Sequence, residues 1–295
     1  MRKRVLVIVL FLACCRFPAF GLLRIESRSG AAVTITARSL QPGEVLLAVF
    51  HPSGETGEAR LVILNKEHGF LPGGPSGQRF ALVGVDFLTA PGSYRVEALF
   101  FNEAGQKEIV QKYLRLHERS FTRRNIRIDE RLVTAPPEVE ERVARERKIL
   151  TEVYRSVLPS WLGSGDFMAP LPDKPTLNFG EHRLYNSVPR SRHTGIDISA
   201  ADGAPIRASN SGKVALAMDL YYSGLTVILD HGLGVFSVYC HCSRLDVRPG
   251  QSVRRGEVVA AVGSTGRSTG PHLHWSVRLG GARVDPLSLL GLGLE

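Results

Sequence analysis

Residues 269–277 read TGPHLHWSV and place His272 and His274 two positions apart in a segment typical of a β-strand. Alternate side chains of a strand point to the same face, so both imidazoles could contact one ligand. An isolated H-x-H pair is also common as two polar residues on a half-buried strand. The flanking segments therefore have to indicate whether both histidines, one or neither binds a metal.

Composition and the N-terminus place this strand in an exported globular protein. The chain has 295 residues, 43% hydrophobic and 22% charged, enough for two modest cores. Basic residues 2–4, an apolar run to Cys15 and small residues up to Gly21 predict a signal peptide over residues 1–21. The run is too short for a stable transmembrane span.

The charge that remains after export suggests the kind of partner. Removal of the signal lowers the net charge from +9 to about +5, because the signal holds four basic residues and no acidic one. A mildly basic protein in the periplasm or cell envelope is expected to meet anionic polymers or lipid surfaces rather than nucleic acid.

The rest of the chain divides into three parts by its periodicity. Residues 22–118 show about seven short alternating runs between turn signals, which predicts an immunoglobulin-like β-sandwich. Residues 119–164 are predicted as a linker with a helix over about 137–157, supported by the pairs Glu138–Arg142 and Glu141–Arg145. Residues 165–295 return to strands, so the predicted class is all-β with a helical connector.

The segment HTGIDIS, residues 193–199, supplies further candidate metal ligands. His193 and Asp197 are four positions apart and share a face of an extended chain, and Gly195 between them allows a close approach. A catalytic zinc site needs three protein ligands and one open position for water. The third ligand could be His272 or His274.

The strand VFSVYCHCSRL, residues 235–245, carries another histidine. Alternation places His241 on one face and both Cys240 and Cys242 on the other. The cysteines are interpreted as small core residues, and they are too close along the strand for an unstrained disulfide. His241 can be a structural hydrogen-bonding residue or a catalytic base.

These segments and the later RVDP occur in the order found in a known family. From about residue 179 to 290 the chain resembles the lysostaphin-like (LytM-type) zinc metallopeptidases, which cut peptidoglycan. The resemblance implies the duplicated hybrid motif fold, a Zn²⁺ cofactor, and peptide stems or cross-bridges of peptidoglycan as substrate. It further implies metal ligands His193, Asp197 and His274, and catalytic residues His241 and His272.

The function expected from this resemblance is an exported zinc metalloendopeptidase that uses a zinc-activated water and is open to control by envelope regulators. A glutamate in an H-E-x-x-H arrangement is absent from the sequence, so histidines would have to transfer the protons. The alternative is a non-enzymatic protein that binds the cell wall or activates an amidase. Such regulators commonly lose ligands, whereas all five implied residues are present here.

Overall fold

The computed structural model describes residues 20–54, 56–73, 78–133 and 136–294. Strands make up most of the secondary structure, which confirms the all-β class. Apart from Phe20 and Gly21, the predicted signal peptide lies outside the described residues. Within those ranges, we find no helix that has both the length and the apolar character needed to cross a membrane.

The N-terminal part consists of two antiparallel sheets. Its eight strands are β1 (Phe20–Glu26), β2 (Ala32–Ala37), β3 (Val45–His51), β4 (Thr56–Ile63), β5 (Lys66–Gly69), β6 (Arg79–Gly84), β7 (Gly92–Asn102) and β8 (Lys107–Leu116). The strand orders are β1-β2-β3-β6 and β5-β4-β7-β8. Side chains of both sheets, among them Phe50 and Phe100, form one buried core, so the arrangement is a sandwich. The immunoglobulin-like assignment stays a prediction.

The segment predicted as a linker contains a strand as well as helices. These elements are β9 (Arg123–Ile126), α1 (Glu130–Val133) and α2 (Pro137–Arg155). Strand β9 pairs in parallel with β10 (His182–Tyr185), which continues through a tight turn into β11 (Val188–Arg192). Asn186 and Ser187 at the turn both have positive φ values of 50° and 69°, as a two-residue hairpin turn requires. Residues from the linker thus form a small sheet with residues just before His193.

Helix α2 begins with Pro137 and packs its apolar side chains, Leu150 and Val153 among them, against the cluster formed by Leu216, Phe236 and Val238. The predicted pairs Glu138–Arg142 and Glu141–Arg145 do not occur among the ion pairs of the described residues.

Arg142 instead donates to Glu146 at 2.7 Å and to Asp219 at 2.9 Å. Glu146 is the partner that tertiary structure selects, because its carboxylate also accepts the backbone N–H of Tyr221. The helix ends two residues before the predicted position 157, and Val157 is half exposed.

The C-terminal part is built on one large sheet. Its strands are β12 (Gly195–Ser199), β13 (Pro205–Arg207), β14 (Gly212–Leu220), β15 (Gly224–Asp230), β16 (Val235–Leu245), β17 (Ser252–Val253), β18 (Val258–Val262), β19 (His272–Leu279) and β20 (Ala282–Val284), followed by a short 3₁₀ helix (Pro286–Leu289). The main strand order is β12-β19-β16-β15-β14-β17. Trp275 and Tyr239 are fully buried in its core.

The two β parts share this core and a buried ion network. Phe80 and Phe87 of the N-terminal part belong to the same apolar cluster as Trp275. Close by, Arg38 and Arg119 each donate to Asp285, at 2.8 Å and 2.7 Å. Asp285 is 3% exposed, so the contact joins the two parts through a desolvated charge.

Candidate metal centre

The pairing of β12 with β19 brings the candidate ligands together. Asp197 lies directly opposite His274, and Ser199 lies opposite His272. Along β19 the side chains of His272 and His274 point away from the core, whereas Leu273 and Trp275 between them are fully buried. The period of two that the sequence predicted therefore sets the facing of both histidines.

Three donor atoms meet at the start of this strand pair. Nε2 of His193 lies 2.8 Å from Nδ1 of His274 and 3.0 Å from Oδ1 of Asp197. Nδ1 of His274 lies 3.1 Å from Oδ1 of Asp197. Tetrahedral ligands at about 2.0–2.1 Å from zinc are about 3.3 Å apart. Two imidazole nitrogens and one carboxylate oxygen thus fit a zinc ion in both chemistry and spacing, and the three residues form a cluster able to hold a metal ion.

Asn178 holds two of these residues in place. Its backbone carbonyl lies 2.9 Å from Nδ1 of His193, and its side-chain amide donates to Oδ2 of Asp197 at 3.0 Å. Because a carbonyl oxygen can only accept, Nδ1 of His193 carries the proton and Nε2 keeps its lone pair for a metal. Arg183 also donates to Oδ2 of Asp197, which leaves Oδ1 turned toward the histidines.

Neither Asn178 nor Arg183 is among the site residues predicted from the sequence, and both precede the segment that begins at His193. For Arg183, the sequence signal that could have been used is the alternation along β10, which puts Arg183 and Tyr185 on one face of the strand.

Gly195 is required by the close packing of the two strands. A Cβ atom at this position would lie 2.4 Å from the backbone oxygen of Trp275 and 2.8 Å from Cε1 of His274. Any larger residue would therefore displace the backbone of β19 or the ring of His274. The close approach predicted at Gly195 is made by the backbone of the neighbouring strand β19.

Burial and hydrogen bonding prepare two of the candidate ligands for a cation. Burial disfavours an ionised Asp197, but its close contacts with His193 and His274 outweigh this effect and hold the pKa of the carboxyl well below its usual range. Burial lowers the pKa of His274 to about 4. At neutral pH the carboxylate is ionised and the His274 imidazole is neutral, and these are the forms that bind metal ions.

His272 and His241 lie beside the three donors. Nε2 of His272 is 3.8 Å from Oδ1 of Asp197, and its Nδ1 is 2.8 Å from the carbonyl oxygen of Gly270. The rings of His241 and His272 are 4.8 Å apart between centroids. Nδ1 of His241 lies 2.8 Å from the carbonyl oxygen of Thr265. In both histidines a backbone carbonyl therefore fixes the proton on Nδ1 and leaves Nε2 as a base.

His241 is set apart by its backbone and its burial. It has a φ of 65°, in the left-handed region that residues other than glycine rarely adopt. Its side chain is nearly buried, and this burial lowers the pKa of His241 to about 3. The imidazole is thus neutral at physiological pH.

This conformation makes the predicted facing of the two cysteines wrong. Cys240 packs with Val238 on the side of the sheet that α2 covers, whereas Cys242 packs with Tyr239 in the main core. The left-handed residue at position 241 breaks the alternation, and the pairing of β15 with β16 shifts register nearby. Both cysteines are buried and free, as expected of core residues.

Three cavities adjoin the metal centre. One, of about 320 Å³, is lined by Asp197 and His272, and another, of about 180 Å³, is lined by His193, His241 and His274. A third, of about 640 Å³, reaches from His274 to helix α2. Among the described residues, these cavities are lined by seven arginines and a single acidic residue, the candidate ligand Asp197.

The small sheet of β9, β10 and β11 separates the first two cavities. Arg183, Tyr185 and Arg267 line both. The guanidinium of Arg267 lies 4.5 Å from the ring centroid of Tyr185 and 4.9 Å from that of Tyr222. This stacking fastens the hairpin of β10 and β11 to the large sheet.

Comparison with known proteins places this centre within a family. Residues 191–286 match peptidase family M23. A solved Pseudomonas aeruginosa structure assigned to peptidase M23 is 30% identical, covers 86% of this chain and 96% of its own, and superposes with a TM-score of 0.65.

Curated relatives are similar over a shorter segment. The DD-carboxypeptidase/endopeptidase Mpg of Neisseria meningitidis is 45% identical over 33% of this chain and 22% of its own. The peptidoglycan DD-endopeptidase ShyA of Vibrio cholerae is 35% identical over 37% of this chain and 26% of its own. The murein hydrolase activator EnvC of Escherichia coli is 37% identical over 40% of this chain and 27% of its own.

The matches thus span about a quarter of the length of these relatives. The solved structure, by contrast, is matched along almost its whole length, which confirms the resemblance predicted from the sequence motifs. The chain belongs to peptidase family M23.

Proposed function

We propose that this chain is an exported zinc metalloendopeptidase that hydrolyses peptide cross-links of bacterial peptidoglycan. The observation that carries the proposal is the convergence of His193, Asp197 and His274 beside two further histidines, with a cavity on either side of the small sheet. The names of ShyA and Mpg support a wall peptide as substrate. A wall substrate in turn supports a location in the periplasm or cell envelope.

In the proposed assignment, His193, Asp197 and His274 hold Zn²⁺. A zinc ion bound there would lower the pKa of a water molecule and polarise the carbonyl of the scissile peptide bond. Asn178 and Arg183 position the ligands, since both contact Asp197. The positioning roles follow from these contacts, and the zinc-binding role follows from the two imidazole nitrogens and one carboxylate oxygen that meet at the centre.

Proton transfer falls to His241 and His272. Each has Nδ1 at a backbone carbonyl, so the unprotonated Nε2 can accept a proton at the centre and return it to the leaving amine. Their side-by-side rings allow one to act as base while the other, once protonated, stabilises the developing negative charge.

The test is digestion of purified sacculi by the mature protein. We expect soluble muropeptides with zinc present, and none after chelation or in the Asp197→Ala variant. Asp246→Ala is the matched control, because Asp246 is an exposed aspartate that pairs with Arg244 outside the cavities. If wild type and Asp197→Ala release equal amounts, the proposal fails.

A second candidate is an activator without catalysis, which the similarity to EnvC favours. An activator would increase the release of wall fragments by an added amidase, and it would do so equally as wild type and as Asp197→Ala. The metallopeptidase proposal expects release without any added enzyme. Mass analysis of the fragments separates the two, because an amidase and an endopeptidase cut different bonds.

A further inference from the structure

The largest of the three cavities extends the cleft away from the metal centre. It lies between α2 and the outer face of the large sheet and has a volume of about 640 Å³. Thr194, Ser223, Cys240 and His274 line both this cavity and the 180 Å³ cavity next to it. The larger cavity, called the groove below, therefore begins beside the candidate ligand His274 and extends to the helix.

Strand β19 provides the direction of this groove. His274, Ser276 and Arg278 alternate with buried residues and all line the cavity. Four residues of a strand span about 13 Å, so Arg278 lies about that far from His274. An extended peptide whose scissile bond lay at the metal centre would place a residue about four positions away beside Arg278.

Arginine side chains supply the charge of this groove. Arg278 lies on the strand, with its guanidinium 4.3 Å from the ring centroid of Tyr154. Arg147 is an exposed residue on α2 that lines the same cavity. No ion pair of either arginine occurs among the described residues, whereas Arg155 nearby pairs with Glu152.

No aspartate or glutamate is found among the residues described as lining this cavity. The groove thus presents two unneutralised guanidinium groups next to apolar side chains such as Leu150 and Val238. A ligand with apolar parts and a free carboxylate matches that combination, because a guanidinium binds a carboxylate through charge-assisted hydrogen bonds.

We propose that Arg147 and Arg278 form a subsite for a free carboxylate of the substrate peptide and select acidic stem peptides over uncharged bridges such as oligoglycine. This inference rests on the proposed function, because it assigns the peptide's position from the metal centre. An uncharged bridge would occupy the groove without a counter-ion for either arginine. Stacking on Tyr154 keeps Arg278 oriented before the substrate binds.

The test compares a cross-linked stem peptide that carries free carboxylates with the same peptide in amidated form. We expect the wild type to cleave the acidic form with a kcat/KM about tenfold higher, mainly through a lower KM. The double variant Arg147→Gln/Arg278→Gln should lose this preference while its kcat changes little. Arg278→Lys keeps the charge and should restore part of the preference.

Two controls keep the outcome specific. Arg254→Gln removes an exposed arginine that lines none of the three cavities, and it should retain the preference. The dissociation constants of both peptides are also measured with the His272→Ala variant, which keeps the three candidate ligands but should not turn the peptides over.

Failure of this inference differs from failure of the proposed function. Equal kcat/KM values for both peptides, or a preference that survives the double variant, would overturn the carboxylate subsite and leave the peptidase proposal intact. If neither peptide is cleaved, the peptidase proposal fails, and the binding measurement decides the subsite. Equal dissociation constants for the two peptides would then overturn it.

Discussion

The division of roles between His272 and His274 can be tested through the stability that zinc confers. The relevant change is alanine at each position in turn. Nδ1 of His274 lies within 3.1 Å of both other donors, whereas Nε2 of His272 is 3.8 Å from Asp197 and its Nδ1 is occupied by Gly270. Only His274→Ala should therefore remove a zinc ligand.

The expected magnitude follows from ligand linkage. Loss of a residue that merely supports a ligand weakens metal binding about 10–100-fold, so loss of His274 itself should cost at least about 100-fold. At a free zinc concentration about 100 times the wild-type Kd, zinc stabilises the fold by about 2.7 kcal/mol, and a Kd about 100-fold weaker leaves about 0.4 kcal/mol. The difference corresponds to about 4 °C in Tm for a chain of this length.

The assay is thermal unfolding of wild type, His272→Ala and His274→Ala, each with and without zinc, together with the metal content after dialysis. Comparing the Tm values with and without zinc within each variant removes any effect of the substitution on the stability of the metal-free fold. We expect His274→Ala to lose nearly all of the zinc-dependent shift, and His272→Ala to keep most of it while losing at least about 100-fold in hydrolysis. Equal loss of the shift in both variants would refute the division.

Three further predictions concern stability and reactivity. Asp285→Asn should lower the free energy of unfolding in urea by about 3 kcal/mol, because two arginines lose a buried counter-ion; an unchanged midpoint would contradict this. Burial lowers the pKa of His231 to about 4, so the unfolded chain takes up the proton at a higher pH than the folded chain. The free energy of unfolding should therefore fall as the pH is lowered from about 6.5 to about 4, and His231→Gln should remove about 3 kcal/mol of that fall. Identical pH profiles for wild type and variant would contradict this prediction. Burial raises the pKa of Cys240 to about 12 and also raises that of Cys242. Iodoacetamide should therefore modify neither thiol in the folded protein at pH 8 and both thiols after unfolding, as measured by mass spectrometry. Labelling of either cysteine in the folded chain would contradict this prediction.

The parts of the centre that could be predicted from sequence depend on a regular strand. The shared facing of His272 and His274 follows from the period of two, and β19 is regular over its whole length. The spacing of His193 and Asp197 could be interpreted in the same way. The structure brings these residues together with His241, although spacing alone did not indicate that the strands would meet.

The parts that could not be predicted depend on irregular backbone and long-range pairing. A left-handed histidine within a strand leaves no mark in the pattern of β16, and for this reason the facing of Cys240 and Cys242 came out wrong. The pairing of β9 with β10 joins segments more than 50 residues apart. Such contacts are selected by tertiary packing, which local periodicity does not contain.

The candidate metal ligands and one wall of the groove come from different parts of the chain. The match to family M23 begins at residue 191 and contains the three candidate ligands and both further histidines. Asn178 and Arg183, which hold Asp197, lie before it, as does helix α2, which lines one side of the groove. The segment predicted as a linker supplies β9 on one side of the metal centre and α2 on the other, so substrate selection should respond to changes there while metal binding should not.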